Sequence, residues 1–175
     1  MYIMKNNYYD YINSWIIQST MADLRWWLLF LSLFFPWVIW WKIVDRTRVF
    51  EILSYGLFWS VMATWLDLLG TTNHLWRYPF KLLDQIPSLL PADIAVIPVL
   101  YMLNYQFART WKSFIIGAIF LAFLFSYVLE PIFTTFRMLE FMNWSHSISF
   151  IAFFFLGIVT KGIFQCIVKY KKDIS

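Results

Sequence analysis

Apolar residues run along this chain in long blocks, and the breaks between the blocks carry most of its charge. Four blocks, 26–44, 49–70, 113–135 and 147–168, are each long enough to cross the hydrocarbon core of a bilayer, which takes about 20 apolar helical residues. A shorter block opens near Pro91 and Asp93, has Pro98 in its middle, and closes near Phe107 with Asn104 and Gln106 close to its end. Proline at that depth needs neighbouring helices to satisfy the carbonyls it frees. Ahead of the blocks, Tyr8, Tyr11, Ile12, Trp15 and Ile16 recur at helical spacing with Asp10, Asn13 and Ser14 off the stripe. That is the pattern of an amphipathic helix lying flat at an interface. The expectation is an all-α fold: a polytopic membrane helix bundle of about five transmembrane helices with an N-terminal interfacial helix, in a single domain.

Composition agrees with the pattern. Of 175 residues, 61% are hydrophobic and only 14% charged, where soluble domains carry about a quarter charged. Trp26, Trp27, Trp40 and Trp41 bunch at the ends of the first block, as expected of rings that anchor at the interface. Pro36 within the same block predicts a kink. The block follows a polar stretch and lacks a small-residue cleavage site, so it is expected to stay as a span and not to leave as a signal peptide. The net charge of +4 is spread over the connections, which argues against a nucleic-acid surface and turns the basic residues into a topology signal. Lys5, Arg25, Arg77, Lys81 and Arg137 would share one side, and Lys42, Arg46, Arg48, Arg109, Lys112, Lys169, Lys171 and Lys172 the other, with Lys161 nearby. The richer side is expected to be cytoplasmic, leaving the N-terminus outside and the C-terminus inside a cell membrane.

Against this apolar background three carboxyl groups stand out. Asp67, Asp93 and Glu130 each sit at or just inside the end of an apolar block, and ionisable groups in such segments mark functional sites by default. Gly56, Ser60, Thr64 and Asp67 share one helix face, and Ala118, Ala122, Ser126 and Glu130 share another. At 1.5 Å per residue Asp67 lies about 27 Å along its span and Glu130 about 26 Å along its own, so their depths match. His74, Trp76, Arg77 and Tyr78, in the connection 71–90, and His146, just before the last block, fall on the same side and are expected to support the site. The structural alternative is that these groups merely pair off and close one end of a bundle, whose small-residue stripes let helices approach closely. Glu51 and Lys161 are expected to form an ion pair near the other side, and Asn104 and Gln106 to bond across helices.

Other chemistry is not indicated. Cys166 is the one cysteine, so there is neither a disulfide framework nor a CxxC pair. The two histidines and the carboxylates lack metal-motif spacing, and no nucleophile elbow or phosphate-binding glycine loop is present. No cofactor and no metal are expected.

The string Trp41-Lys42, Asp45-Arg46-x-Arg48, Tyr55-Gly56, Asp67, Trp76-x-Tyr78-Pro79, Pro91-x-Asp93 and Pro98 resembles an uncharacterised family of small multi-pass membrane proteins of endospore-forming bacteria. The resemblance implies a bacterial cell membrane and no particular activity. The chain is also faintly similar to membrane-bound lycopene cyclase domains, in which an Asp, an aromatic pair and a Pro-x-acid stretch follow in similar order. Its element, Pro91-Ala92-Asp93, holds one acid where those cyclases show two adjacent ones.

Three functional readings follow. The first is a membrane structural or partner-binding component that meets lipid and either another membrane protein or a second copy of itself. The second is a lipid- or isoprenoid-modifying enzyme that uses a buried carboxyl as general acid, with aromatic faces steadying a cationic intermediate. The third, a small transporter, would use the carboxylates as a relay, although the sequence has no inverted repeat.

Overall fold

Helix α1 (Leu24–Ile43) begins at an aspartate that satisfies its first turn: the Arg25 N–H donates to Asp23 Oδ1 at 2.8 Å, and the Arg25 guanidinium closes on Oδ2 at 2.6 Å. At the far end Asp45 makes the turn, accepting from the Thr47 N–H and O–H at 2.9 and 2.7 Å, and α2 (Val49–Thr72) runs back. A computed structural model provides this description for residues 23–83, 86 and 88–174. The expected interfacial helix, Tyr8 to Ile16, lies outside the described residues.

After α2 come a short strand β1 (Trp76–Arg77), a loop, and a π-helical turn (Ala92–Val96) that feeds α3 (Ile97–Phe107). Helix α4 (Trp111–Phe123), capped by Thr110, continues through a second π-helical turn (Leu124–Leu129) into α5 (Glu130–Thr135). Strand β2 (Glu140–Phe141) and the long α6 (His146–Ile174) complete the chain. The helices dominate, as the sequence pattern requires. The small antiparallel ladder, Trp76 opposite Phe141 and Arg77 opposite Glu140, was not indicated by any alternation.

Four stretches, Leu24–Ile43, Val49–Thr72, Trp111–Thr135 and His146–Tyr170, are long and apolar enough to cross a membrane. Their outer faces say where they belong. In α1 Leu31, Phe34, Phe35 and Val38 are all more than half exposed, as are Ile116 and Phe120 on α4 and Ile151 and Phe155 on α6. In water such continuous apolar surface would drive aggregation; lipid tails cover it at no cost. This is a membrane-embedded helix bundle.

Helix α3 is the shorter one, and its ends show how it sits. Near its C-terminus the Gln106 amide donates to the Ile43 carbonyl at 3.0 Å and accepts from the Asp45 N–H at 3.0 Å, level with the turn between α1 and α2. Near its beginning the Leu89 N–H reaches Asp67 at 2.9 Å, close to the end of α2. It therefore lies antiparallel to α2. Pro98 explains one contact on the way: it cannot bond the carbonyl four residues back, and the freed Ile94 oxygen takes a hydrogen bond from the Trp37 indole at 3.1 Å.

The core between α2, α3, α4 and α6 is aromatic. Trp59 and Tyr101 stack with centroids 3.9 Å apart, and Tyr55 stacks on Tyr105 at 4.5 Å. Small residues set the separations. A Cβ on Gly56 would collide with Met102, and one on Gly117 with Asn104, whose amide donates to the Phe114 carbonyl at 3.2 Å. The expected Glu51–Lys161 pair is replaced: Glu51 binds Arg48 at 2.8 Å and the Tyr105 hydroxyl at 2.6 Å, and Lys161 lies among rings.

Candidate functional site

Two identical helix stops bring the supporting segments over one end of the bundle. His74, after α2, and Arg137, after α5, both have φ of 54°, the left-handed conformation that turns a chain out of a helix. In each case the next residue bonds back over the last turn: Leu75 N–H to the Gly70 carbonyl at 3.0 Å, and Met138 N–H to the Phe133 carbonyl at 2.8 Å. The outgoing chains then meet as β1 and β2. Arg77 spends its charge there, on Glu140 at 2.7 Å. The exposed His74 contributes the turn. Neither lines the cavity below, so two of the residues that sequence reasoning assigned to the site belong to its outer rim.

Trp76 and Tyr78 point inward. The Trp76 indole N–H and the Tyr78 O–H both donate to Asp67 Oδ1 at 2.7 Å, and the Leu89 N–H donates to Oδ2. Asp67 is thus pinned by three donors from one loop. Gly70 makes this approach feasible, since a Cβ there would occupy the space of the Trp76 ring. Burial, and then the charge of Asp67, push the Tyr78 phenol well above its ordinary pKa, so it stays a donor.

Asp93, in the π-helical turn before α3, adjoins both Asp67 and Ser88. It is 4% exposed, and its Oδ2 receives no hydrogen bond from the described residues, nor does the Ser88 hydroxyl find a partner. Burying a polar oxygen without a partner is costly. Asp93 also belongs to the wall of a cavity of about 410 Å³, lined by Trp59, Phe125, Phe153 and Trp144 among others and by all three of Asp67, Asp93 and Glu130. That volume falls in the usual range for small-molecule sites, about 300–1,000 Å³. The three carboxyl groups singled out in the sequence converge on one space.

Glu130 stands just after the second π-helical turn and lies 2.8 Å from His146 Nδ1, close enough for one proton to bridge them. Ser149, one turn along α6 from His146, adjoins Glu130 and accepts from the Trp144 indole at 2.8 Å. Ser88, Trp144 and Ser149 were missed by sequence reasoning, which expected aromatic faces around the site without naming Trp59, Phe125 or Phe153. For Ser149 a signal existed, its i+3 spacing from His146; Ser88 and Trp144 lie in connections where no periodicity operates.

No family model, curated protein or solved structure matches the chain.

Among the described residues no group of three or more metal-ligating side chains is placed to hold an ion. What the site can do is set by its own groups. It combines a carboxyl pair (Asp67 and Asp93), a carboxyl–imidazole pair (Glu130 and His146) and an otherwise apolar, aromatic chamber. Two facing carboxylates have only acceptors, so a hydrogen bond between them requires a proton.

Proposed function

We propose that this protein is a membrane enzyme that moves protons on an apolar, unsaturated lipid held in the cavity. The convergence of Asp67, Asp93 and Glu130 on one aromatic-walled cavity carries the reading. Asp67, fixed by its three donors, positions Asp93 and holds a proton against it; Asp93 delivers that proton to a carbon–carbon double bond, leaving a carbocation. The ring faces of Trp59, Phe125 and Phe153 stabilise the positive charge through their quadrupoles. The Glu130–His146 pair takes a proton from a neighbouring carbon, and the double bond re-forms at a new place or within a new ring. One proton enters and one leaves, with no net oxidation. An isoprenoid is the substrate class that fits this chemistry, in keeping with the likeness to lycopene cyclase domains, and the single acid at Pro91-Ala92-Asp93 is then completed by Asp67.

The same reading places five crossings in a bacterial cell membrane, α3 being the third, with the N-terminus outside and the C-terminus in the cytoplasm. The excess of Lys and Arg at the end where α1 and α3 finish supports that orientation. Kinship with the small membrane proteins of endospore-forming bacteria is part of the proposal.

The test is an untargeted comparison of membrane lipids from cells lacking the protein, cells expressing it, and cells expressing Asp93→Asn at equal membrane abundance. A lipid species present only with the intact carboxyl is expected; identical profiles in all three would overturn the enzymatic reading. One observation favours the alternative, a structural or partner-binding component: Asp67 bonds three groups of one loop, as a purely architectural clasp would. Under that reading Asp67→Asn lowers stability and no lipid changes.

A further inference from the structure

At the end of the bundle opposite the cavity, a second feature stands independently of the proposed activity. Lys161 on α6 is 3% exposed. Its amine lies 4.0 Å from the centre of the Phe114 ring, 4.7 Å from Trp111 and 6.0 Å from Tyr105. Among the ion pairs and hydrogen bonds of the described residues none involves Lys161. It does not reach out to open solvent as lysines near helix ends commonly do. Ring faces recover only part of what an ammonium loses on leaving water, so a counter-charge is wanting.

The surroundings are built for an anion. Trp111 and Phe114 belong to the first turn of α4, a helix of 13 residues whose leading N–H groups give its start a partial positive charge. Thr110 satisfies two of those donors, taking the Ser113 N–H on its hydroxyl at 3.1 Å and the Phe114 N–H on its carbonyl at 3.0 Å. The N–H groups of Trp111 and Lys112 precede them. Arg109 and Lys112, both exposed, flank this start, and Trp111 is 42% exposed at the same level. Helix N-termini with adjacent cations are phosphate sites, and basic pockets between transmembrane helices hold lipid head groups.

We propose that Lys161, the first turn of α4, Arg109 and Lys112 form a binding site for a phosphate group. The headgroup of an anionic phospholipid and inorganic phosphate present the same oxygens, and two arms of one experiment separate them. The full-length protein is reconstituted in vesicles of phosphatidylglycerol or of phosphatidylcholine, extracted gently, and its retained lipid counted by native mass spectrometry; a parallel sample in zwitterionic detergent receives inorganic phosphate alone. Phosphatidylglycerol should be retained at least tenfold over phosphatidylcholine, Lys161→Met should abolish that preference, and Lys161→Arg should keep it. A phosphate adduct without lipid, lost in Lys161→Met, would assign the soluble anion as the occupant. Preference unchanged in Lys161→Met, or no adduct in either arm, overturns the proposal. Should Lys161→Met fail to reach the membrane, the exposed pair Arg109→Gln, Lys112→Gln is read in its place, and an undiminished preference there overturns it equally.

Discussion

At the scale of single residues, Asp67 and Asp93 divide their work by hydrogen bonding. Asp67 accepts three bonds and Asp93 Oδ2 accepts none from the described residues. An amide at position 67 would turn one acceptor into a donor facing donors, at about 1–3 kcal/mol. Asp67→Asn should therefore lower the thermal midpoint clearly, and Asp93→Asn should lower it less while removing any dependent lipid product; thermal denaturation in one detergent checks the order. Tyr78 adds a pH dependence. Its pKa is raised in the folded state, so its contribution to stability is complete below the ordinary tyrosine value near 10 and is lost as pH rises beyond it. Tyr78→Phe should flatten the fall in stability above about pH 10, read from midpoints across an alkaline series. His74 teaches the opposite lesson. Its ring suggested chemistry in the sequence, but the structure uses its left-handed backbone, so His74→Gly should raise stability by about 0.5–1 kcal/mol and leave the lipid profile alone.

Helices and turns show where sequence legibility ends. The long apolar runs announced the four membrane-length helices, and carboxyls isolated at the ends of apolar runs, the short one before α3 included, announced Asp67, Asp93 and Glu130, because charge in an apolar run is conspicuous. Trp76 and Tyr78 were expected near the site, but their bonds to Asp67 were not legible. They reach it only because the helix stop at His74 folds the chain back, and such a stop leaves no periodic trace when glycine is not used. Gly70 makes the fold-back fit. Gly70→Ala should push the Trp76 ring off α2, costing about 1–3 kcal/mol, with a change in tryptophan emission as the indole leaves Asp67. The Trp37–Ile94 bond offers a cleaner test of helix reasoning. Trp37→Phe leaves the Ile94 oxygen without its donor, at about 1–3 kcal/mol. Adding Pro98→Ala supplies a backbone N–H to the same oxygen, so the double variant should recover part of the loss in a thermal double-mutant cycle.

For the molecule as a whole, the two ends of the bundle differ in kind. One is sealed by paired strands over a chamber with carboxyls; the other gathers Arg48, Glu51, Tyr105 and Lys161 around helix starts. Composition made the membrane legible, since the exposed faces of α1, α4 and α6 have no other solvent. It could not reveal the chamber, which depends on how the helices pack. The exposed Cys166 lies on α6 toward the second end, and a cysteine placed at the exposed His74 would lie at the first. A membrane-impermeant thiol reagent applied to intact cells should label His74→Cys in a Cys166→Ser background and spare the native Cys166. Labelling of Cys166 alone would invert the orientation.

The two π-helical turns carry a last consequence. Each holds one residue more than an α-helical turn needs, and each is tied to a carboxyl of the chamber: Ala92–Val96 contains Asp93, and Leu124–Leu129 immediately precedes Glu130. A residue in an α-helix advances the azimuth by about 100°. Winding the same residues 124–129 as ordinary α-helix, with none removed, would carry Glu130 about 100° further round the axis and away from His146, while every apolar block kept its length. The chamber's chemistry is thus written as a phase: one additional residue, taken up by a wide turn, keeps the carboxyl on the chamber side.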